Sequence, residues 1–315
     1  MNLPLFDPPL PSFDRAALGA KLFALAASNI YIGTSSWKYE GWLDQIYTRE
    51  NYLYRGRFSE KRFQSECLAE YAQTFPIVCA DFTFYQFPTE PMWRRLFTPP
   101  NLKYALKVPE EITVKAFPSH PRYGSRAGDP NHSFLDAALF RTAFLDLLRP
   151  WRDRIAVLIF EFGTFPKYCY RDASEFLAEL EPFLASLDPD FRYAVEIRNQ
   201  EFLHPDYFAC LRRHHIAHVF NAWTRMPELS EQMQLPDVYT ADFTVTRALL
   251  RRGRPYEEAV KTFTPYTKIQ DVNEPARAAL RDVIQYARDR AQPSYIFVNN
   301  RLEGNAPATI ESLLV

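Results

Sequence analysis

Glycine is scarce in this sequence. Nine glycines in 315 residues fall well below the usual ~7%. That argues against glycine-rich phosphate loops, and neither a dinucleotide-binding fingerprint nor a P-loop is present. Surplus charge is also missing. Thirty-seven Lys and Arg stand against 38 Asp and Glu, a formal net charge of −1, so there is no global footprint for nucleic acid or an anionic membrane. The local basic clusters, Arg55 to Arg62 and Arg251 to Arg254, read as solvated loops. Cys67, Cys79, Cys169 and Cys210 are too widely spaced for a zinc or redox motif. Reduced thiols and a cytoplasmic location are expected. The histidines form no metal set: His214 and His215 end an expected helix, and His120 and His132 fall in a polar loop. No metal and no cofactor are expected. No apolar run approaches ~18 residues, so no membrane span is expected.

The composition is that of a soluble globular protein, with 47% hydrophobic and 24% charged residues. Aromatics reach 16%. Met1 to Pro11 is proline-rich and lacks a basic start, and Lys21 interrupts the apolar Ala16 to Ala27. That is a poor signal peptide; a short helix packed on the following domain is expected. Residues 1–29 are read as an extension and residues 30–315 as one domain.

The pattern from residue 30 alternates between strand and helix. Strands are expected at Ile30–Thr34, Ile77–Phe84, Leu102–Val108, Ile155–Phe162, Phe191–Arg198, Ile216–Asn221, Val238–Thr246 and Tyr295–Val298. Helices are expected at Ser59–Thr74, Thr89–Leu96, Ser133–Leu148, Asp172–Leu187, Pro205–His214, Pro227–Gln234, Glu274–Arg290 and Asn305–Leu314. Residues 43–58 read as a polar insertion, Glu110 to His132 as a long polar loop, and the basic stretch after the seventh strand as a loop. Eight such units without a break in composition predict a single (β/α)8 TIM barrel with an N-terminal helical extension. The alternative is an open doubly wound sheet.

The stretch Phe191 to Asn199 anchors the functional reading. Side chains alternate along a strand, so Tyr193, Val195 and Ile197 share one face and Ala194, Glu196 and Arg198 the other. A Glu and an Arg at the end of an apolar strand are costly to bury unless partnered. In a barrel such ends form the active-site mouth.

Several motifs together resemble the YecE-like family of TIM barrels, a domain of unknown function. They are Ile32-Gly33-Thr34-Ser35-Ser36-Trp37, Thr83-Phe84-Tyr85-Gln86-Phe87-Pro88, Tyr104-Ala105-Leu106-Lys107-Val108-Pro109 with Ile112-Thr113, Tyr193-Ala194-Val195-Glu196-Ile197-Arg198 and Phe297-Val298-Asn299-Asn300. The resemblance covers roughly residues 30 to 312 and implies the fold, but no reaction. The chain departs from the family pattern at Cys79, Asp81, Glu161 and Ala248-Leu249-Leu250, so it reads as a divergent member.

On a barrel, the residues at the strand ends meet at one mouth. Glu161 and Glu196, on adjacent strands, are candidates for an acid/base pair, with Lys107 or Arg198 holding one ionised while burial keeps the other protonated. Trp37, Tyr85, Arg198, Asn221, Arg247 and Asn299 are candidate substrate-binding residues, and Trp42 and Trp223 further stacking walls. The competing reading is a structural ion network in which Glu196 pairs with Lys107 and Arg198. Two functions follow. One is a cofactor-free acid/base enzyme, hydrolase or lyase, on a small sugar-like or anionic substrate. The other is a non-catalytic binder of a phosphate-containing ligand or a nucleic-acid end, which needs positive charge to dominate the mouth. An oligomeric scaffold is a third reading.

Overall fold

In the computed structural model, which describes residues 13–314, eight parallel strands close on themselves. They are β1 (Ile30–Thr34), β2 (Ile77–Ala80), β3 (Lys103–Lys107), β4 (Ile155–Phe162), β5 (Tyr193–Ile197), β6 (Ala217–Ala222), β7 (Thr244–Ala248) and β8 (Ser294–Val298). Each pairs with its sequence neighbours, and β8 returns to β1 over Ile30↔Ser294 to Thr34↔Val298. The expected (β/α)8 barrel is therefore the observed one. The proline-rich Met1 to Pro11 lies outside the described residues.

Strand alternation divides the buried side chains into two cores. Outward-facing Ile32, Val78, Leu106, Phe160, Val195, Phe220, Ile296 and their neighbours pack against the helices. Inward-facing Cys79, Ala105, Ile159, Ala194, Val219, Val245 and Phe297 fill the lumen. The near-continuous apolar run of β4 follows from burial on both faces. Gly33 is needed where β1 approaches β2: a Cβ there would sit 2.0 Å from the Ile77 carbonyl oxygen.

The surrounding helices start where capping residues allow. Helix α1 (Arg15–Ala27) is capped by Asp14, and α2 (Glu60–Thr74) by Ser59, whose hydroxyl accepts from the Arg62 amide. The α2 stripe of Phe63, Cys67, Leu68 and Tyr71 is buried as its spacing predicts. Helix α3 spans Glu90–Leu96.

Several boundaries differ from the sequence reading. The second strand stops at Ala80, because the Thr83 hydroxyl donates to the carbonyls of Ala80 (2.8 Å) and Lys107 (2.6 Å) and curls Asp81–Phe84 into a 3-10 turn. The seventh begins at Thr244, not Val238; the Thr240 hydroxyl, upstream, is engaged by the Ile216 carbonyl and the His218 amide. The fourth helix starts at Ala137 and has a π turn at Arg141–Leu145. The segment 43–58 is a folded insertion rather than a polar one. Ile46, Tyr47 and Tyr52 are buried in it, and Glu70 of α2 ties it down through Thr48, Tyr52 and Arg15. The long loop holds a helical turn at Glu110–Thr113 and a 3-10 segment at Pro121–Arg126. After the basic stretch comes a helix, Tyr256–Phe263, that its charge conceals. No helix among the described residues is long and apolar enough to cross a membrane.

Candidate active site

On six of the eight strands the inward parity continues upward from an apolar or small residue to a charged or amide one. Cys79 is followed by Asp81, Ala105 by Lys107, Ile159 by Glu161, Ala194 by Glu196, Val219 by Asn221 and Val245 by Arg247. The small residues below, Ala105 and Ala194, leave room for the long charged ones above them. All lie at the C-terminal end of the parallel barrel, the end at which barrel enzymes hold their active sites.

Arg247 is the hub. It is 1% exposed. Its Nη1 donates to Glu161 Oε2 at 2.5 Å and also to Glu196 Oε2, while Nη2 donates to Asp81 Oδ1 at 3.0 Å. Its Nε is buried without a partner. Arg198 donates from Nε and Nη2 to Glu196 Oε1 at 3.1 and 3.0 Å, and its Nη2 lies 3.0 Å from Glu161 Oε2. Lys107 Nζ lies 2.9 Å from Glu161 Oε2. Three cations thus meet three carboxylates, and Glu161, Glu196 and Lys107 are all at most 5% exposed. Burial works to raise the Glu161 pKa, but Arg198, Lys107 and Arg247 overcome it and hold the carboxyl far below its usual range.

Aromatic faces back two of the cations. Lys107 Nζ sits 3.8 Å from the centre of the Phe84 ring, and the Arg198 guanidinium 3.8 Å from that of Trp223. Both rings stand beside the charged cluster.

The candidates divide sharply. Lys107, Glu161, Glu196, Arg198 and Arg247 form one connected cluster. The expected Lys107–Glu196 contact is replaced by Lys107–Glu161, because β3 borders β4 and not β5; the partners of Glu196 are Arg198 and Arg247. Asn221 lies in the same layer, but its amide donates to the carbonyls of Ile197 and Val219 and serves the barrel wall. Asn299 accepts from the Arg301 amide and caps the turn Asn300–Glu303. Tyr85 is 58% exposed, set edge-on to Phe84 and under the Arg122 guanidinium, out on the rim. Trp37 is away from the cluster altogether, 5% exposed and set edge-on to Phe82. Trp42 is wholly buried, its indole donating to Asn300 Oδ1 at 3.2 Å. Asp81 was not among the sequence candidates. Its signal was the inward parity of Ile77, Cys79 and Asp81. No group of three or more His, Cys, Asp or Glu among the described residues is disposed to hold a metal.

A family model described as a protein of unknown function, DUF72, matches residues 31–314. A solved DUF72 protein from Enterococcus faecalis shares the fold at 16% identity, over 90% of this chain and 95% of that one, with a TM-score of 0.59. Another, from Thermotoga maritima, does so at 19% identity, over 90% and 97%, with a TM-score of 0.58. A comparison with curated proteins found no match. The family match runs from β1 to the last helix, and its barrel is the one the YecE-like motifs imply. The chain therefore belongs to the DUF72 family of TIM-barrel proteins, whose function is unknown.

Proposed function

We propose that the barrel mouth carries out cofactor-free acid/base chemistry of the lyase type on a small polar substrate, with Lys107 as proton donor and Glu161 as its carboxylate partner. The observation that carries this reading is the 2.9 Å contact of Lys107 Nζ with Glu161 Oε2 at the charged end of the lumen. Of the three cations in the cluster, only a lysine can release a proton; arginine stays charged in proteins. Glu161 is held ionised by its neighbours. Both oxygens of Glu196 already accept from guanidinium donors, so neither carboxyl suits the protonated acid that a glycosidase needs. Removal of a proton beside a carbonyl fits better: a carboxylate accepts it, and Lys107 and Arg198 face the developing oxyanion. Drawing Lys107 toward the substrate removes one of the three cations that depress the basicity of Glu161, the other two being Arg198 and Arg247.

The balance of three cations against three carboxylates weighs against the alternative, a non-catalytic binder of phosphate or a nucleic-acid end, because no positive charge is left over. Exchange in D2O tests the enzymatic reading across several substrate classes at once. The protein is incubated with a panel of 2-keto acids, 2-hydroxy acids and aldoses, and loss of C–H signal is followed by NMR. The wild type is expected to exchange at least one class, and Lys107→Met to slow that exchange by about 100-fold or more. No exchange in any class, or equal exchange by the variant, refutes the reading.

A further inference from the structure

Trp37, absent from the mouth, lines a separate cavity. It is an open groove of about 220 Å3 on the barrel flank against α2 and α3. Trp37, Phe82, Met92 and Leu96 supply apolar walls, and Gln64, Ser65, Lys38 and Arg95 the polar lining. Lys38 Nζ is 5.6 Å from the centre of the Trp37 ring. Among the described residues neither cation has a carboxylate partner. The acids that flank them on the two helices are engaged, Glu66 by Arg62 and Glu90 by Arg94. Lys38 is exposed, but partial desolvation of its amine lowers its pKa, and the charge of Arg95 adds to that. Two like charges therefore face one apolar cavity with no countercharge between them, an arrangement that an anion would relieve.

We propose that this flank cavity binds a small aromatic oxyanion of about the size of benzoate, its ring against Trp37 and Phe82 and its anionic group between Lys38 and Arg95. The volume suits it: an apolar cavity of about 150 Å3 takes benzene, and the remainder of this one admits an anionic substituent. The apolar walls explain the ring, and the paired cations explain the charge. The site is distinct from the mouth and does not depend on the acid/base reading.

The test uses 4-fluorobenzoate and the full chain, followed by fluorine NMR and calorimetry. The neutral isostere 4-fluorobenzamide measures the share of charge. Lys38→Met and Arg95→Met remove each cation at exposed positions, where folding is not at stake. Glu161→Gln reports any binding at the mouth. Saturable binding of 4-fluorobenzoate is expected, weakened at least tenfold by either methionine variant and for the benzamide, and unchanged in Glu161→Gln. The proposal is overturned if no binding occurs at millimolar concentrations, or if the benzamide binds within twofold of the acid. Indifference to both methionine variants, or binding altered more than twofold in either direction in Glu161→Gln, overturns it too.

Discussion

Glu161 and Glu196 stand opposite each other on adjacent strands and share one nitrogen of Arg247. Two carboxylates at this range do not both stay ionised without a cation between them. Arg247 provides that cation and cannot release its proton. The pair is therefore one electrostatic unit, and a change at either member is felt at the other.

Glu196→Gln keeps the shape of the side chain and removes its charge. The residue is fully buried. Its loss leaves Arg198 facing Glu161, and Arg247 facing Glu161 and Asp81. Breaking a buried ion pair costs about 3–5 kcal/mol. Both guanidiniums keep other carboxylates, so the low end is expected, about 3 kcal/mol, or a melting temperature lower by roughly 6 °C. A melt within a degree of the wild type would show that the pair does not hold the barrel together.

Arg247→Met is expected to cost more, and in a pH-dependent way. Without the guanidinium, the facing carboxyls raise one another's pKa in the folded state. A group raised on folding contributes stability below its unfolded pKa and loses it as pH rises through the folded value. The deficit against the wild type should therefore be larger at pH 8 than at pH 5, as read from urea midpoints. Equal deficits at the two pH values would rule out carboxylate repulsion as the cause.

The parts of this arrangement that depend on local periodicity were readable in the chain. Alternation alone puts Ala194, Glu196 and Arg198 on one face; Ala194 lies in the lumen and Arg198 bonds Glu196. The choice of partner was not local. Lys107 meets Glu161 because β3 lies beside β4, which becomes a constraint only once the closed strand order is used. The end of β2 depends on the Lys107 carbonyl of the next strand, which captures the Thr83 hydroxyl. Nothing in the sequence around Trp37 distinguishes a ring facing the mouth from one facing the flank. The helix Tyr256–Phe263 was hidden behind Arg251 to Arg254, whose charges Asp271, Glu231 and Glu258 take up.

All four cysteines are free, and they should differ in reactivity. Burial pushes the Cys67 thiol up to about 12 and that of Cys210 to about 11, and raises Cys79 beyond them. Cys169 is the only one that is not fully buried. Since the thiolate is the reactive form, a disulfide-exchange reagent at pH 8 should modify Cys169 first in the native protein. All four should titrate after denaturation without reductant. A native count of more than one fast thiol, or a denatured count below four, contradicts this.

The last prediction concerns His218, a residue outside the mouth cluster. Its ring leaves the lumen and packs edge-on against Tyr207, Phe208 and Phe220. Nδ1 lies 3.3 Å from the Tyr207 hydroxyl, and Nε2 is buried without a partner. Burial drives its pKa down to about 3, against ~6.5 in an unfolded chain. A depressed group contributes stability above its unfolded pKa and loses it as pH falls toward the folded value. The unfolded chain then takes up a proton that the folded one refuses. Between pH 7 and pH 5 the expected loss is about 2 kcal/mol. Glu161 does not confuse this window, because its own contribution persists down to about pH 4.3 and declines only below that. His218→Phe keeps a ring in the apolar site and removes the proton acceptor. Urea denaturation of the variant should show a flatter dependence on pH from 7 to 5, by about 2 kcal/mol. An unchanged slope would assign the proton uptake to another group.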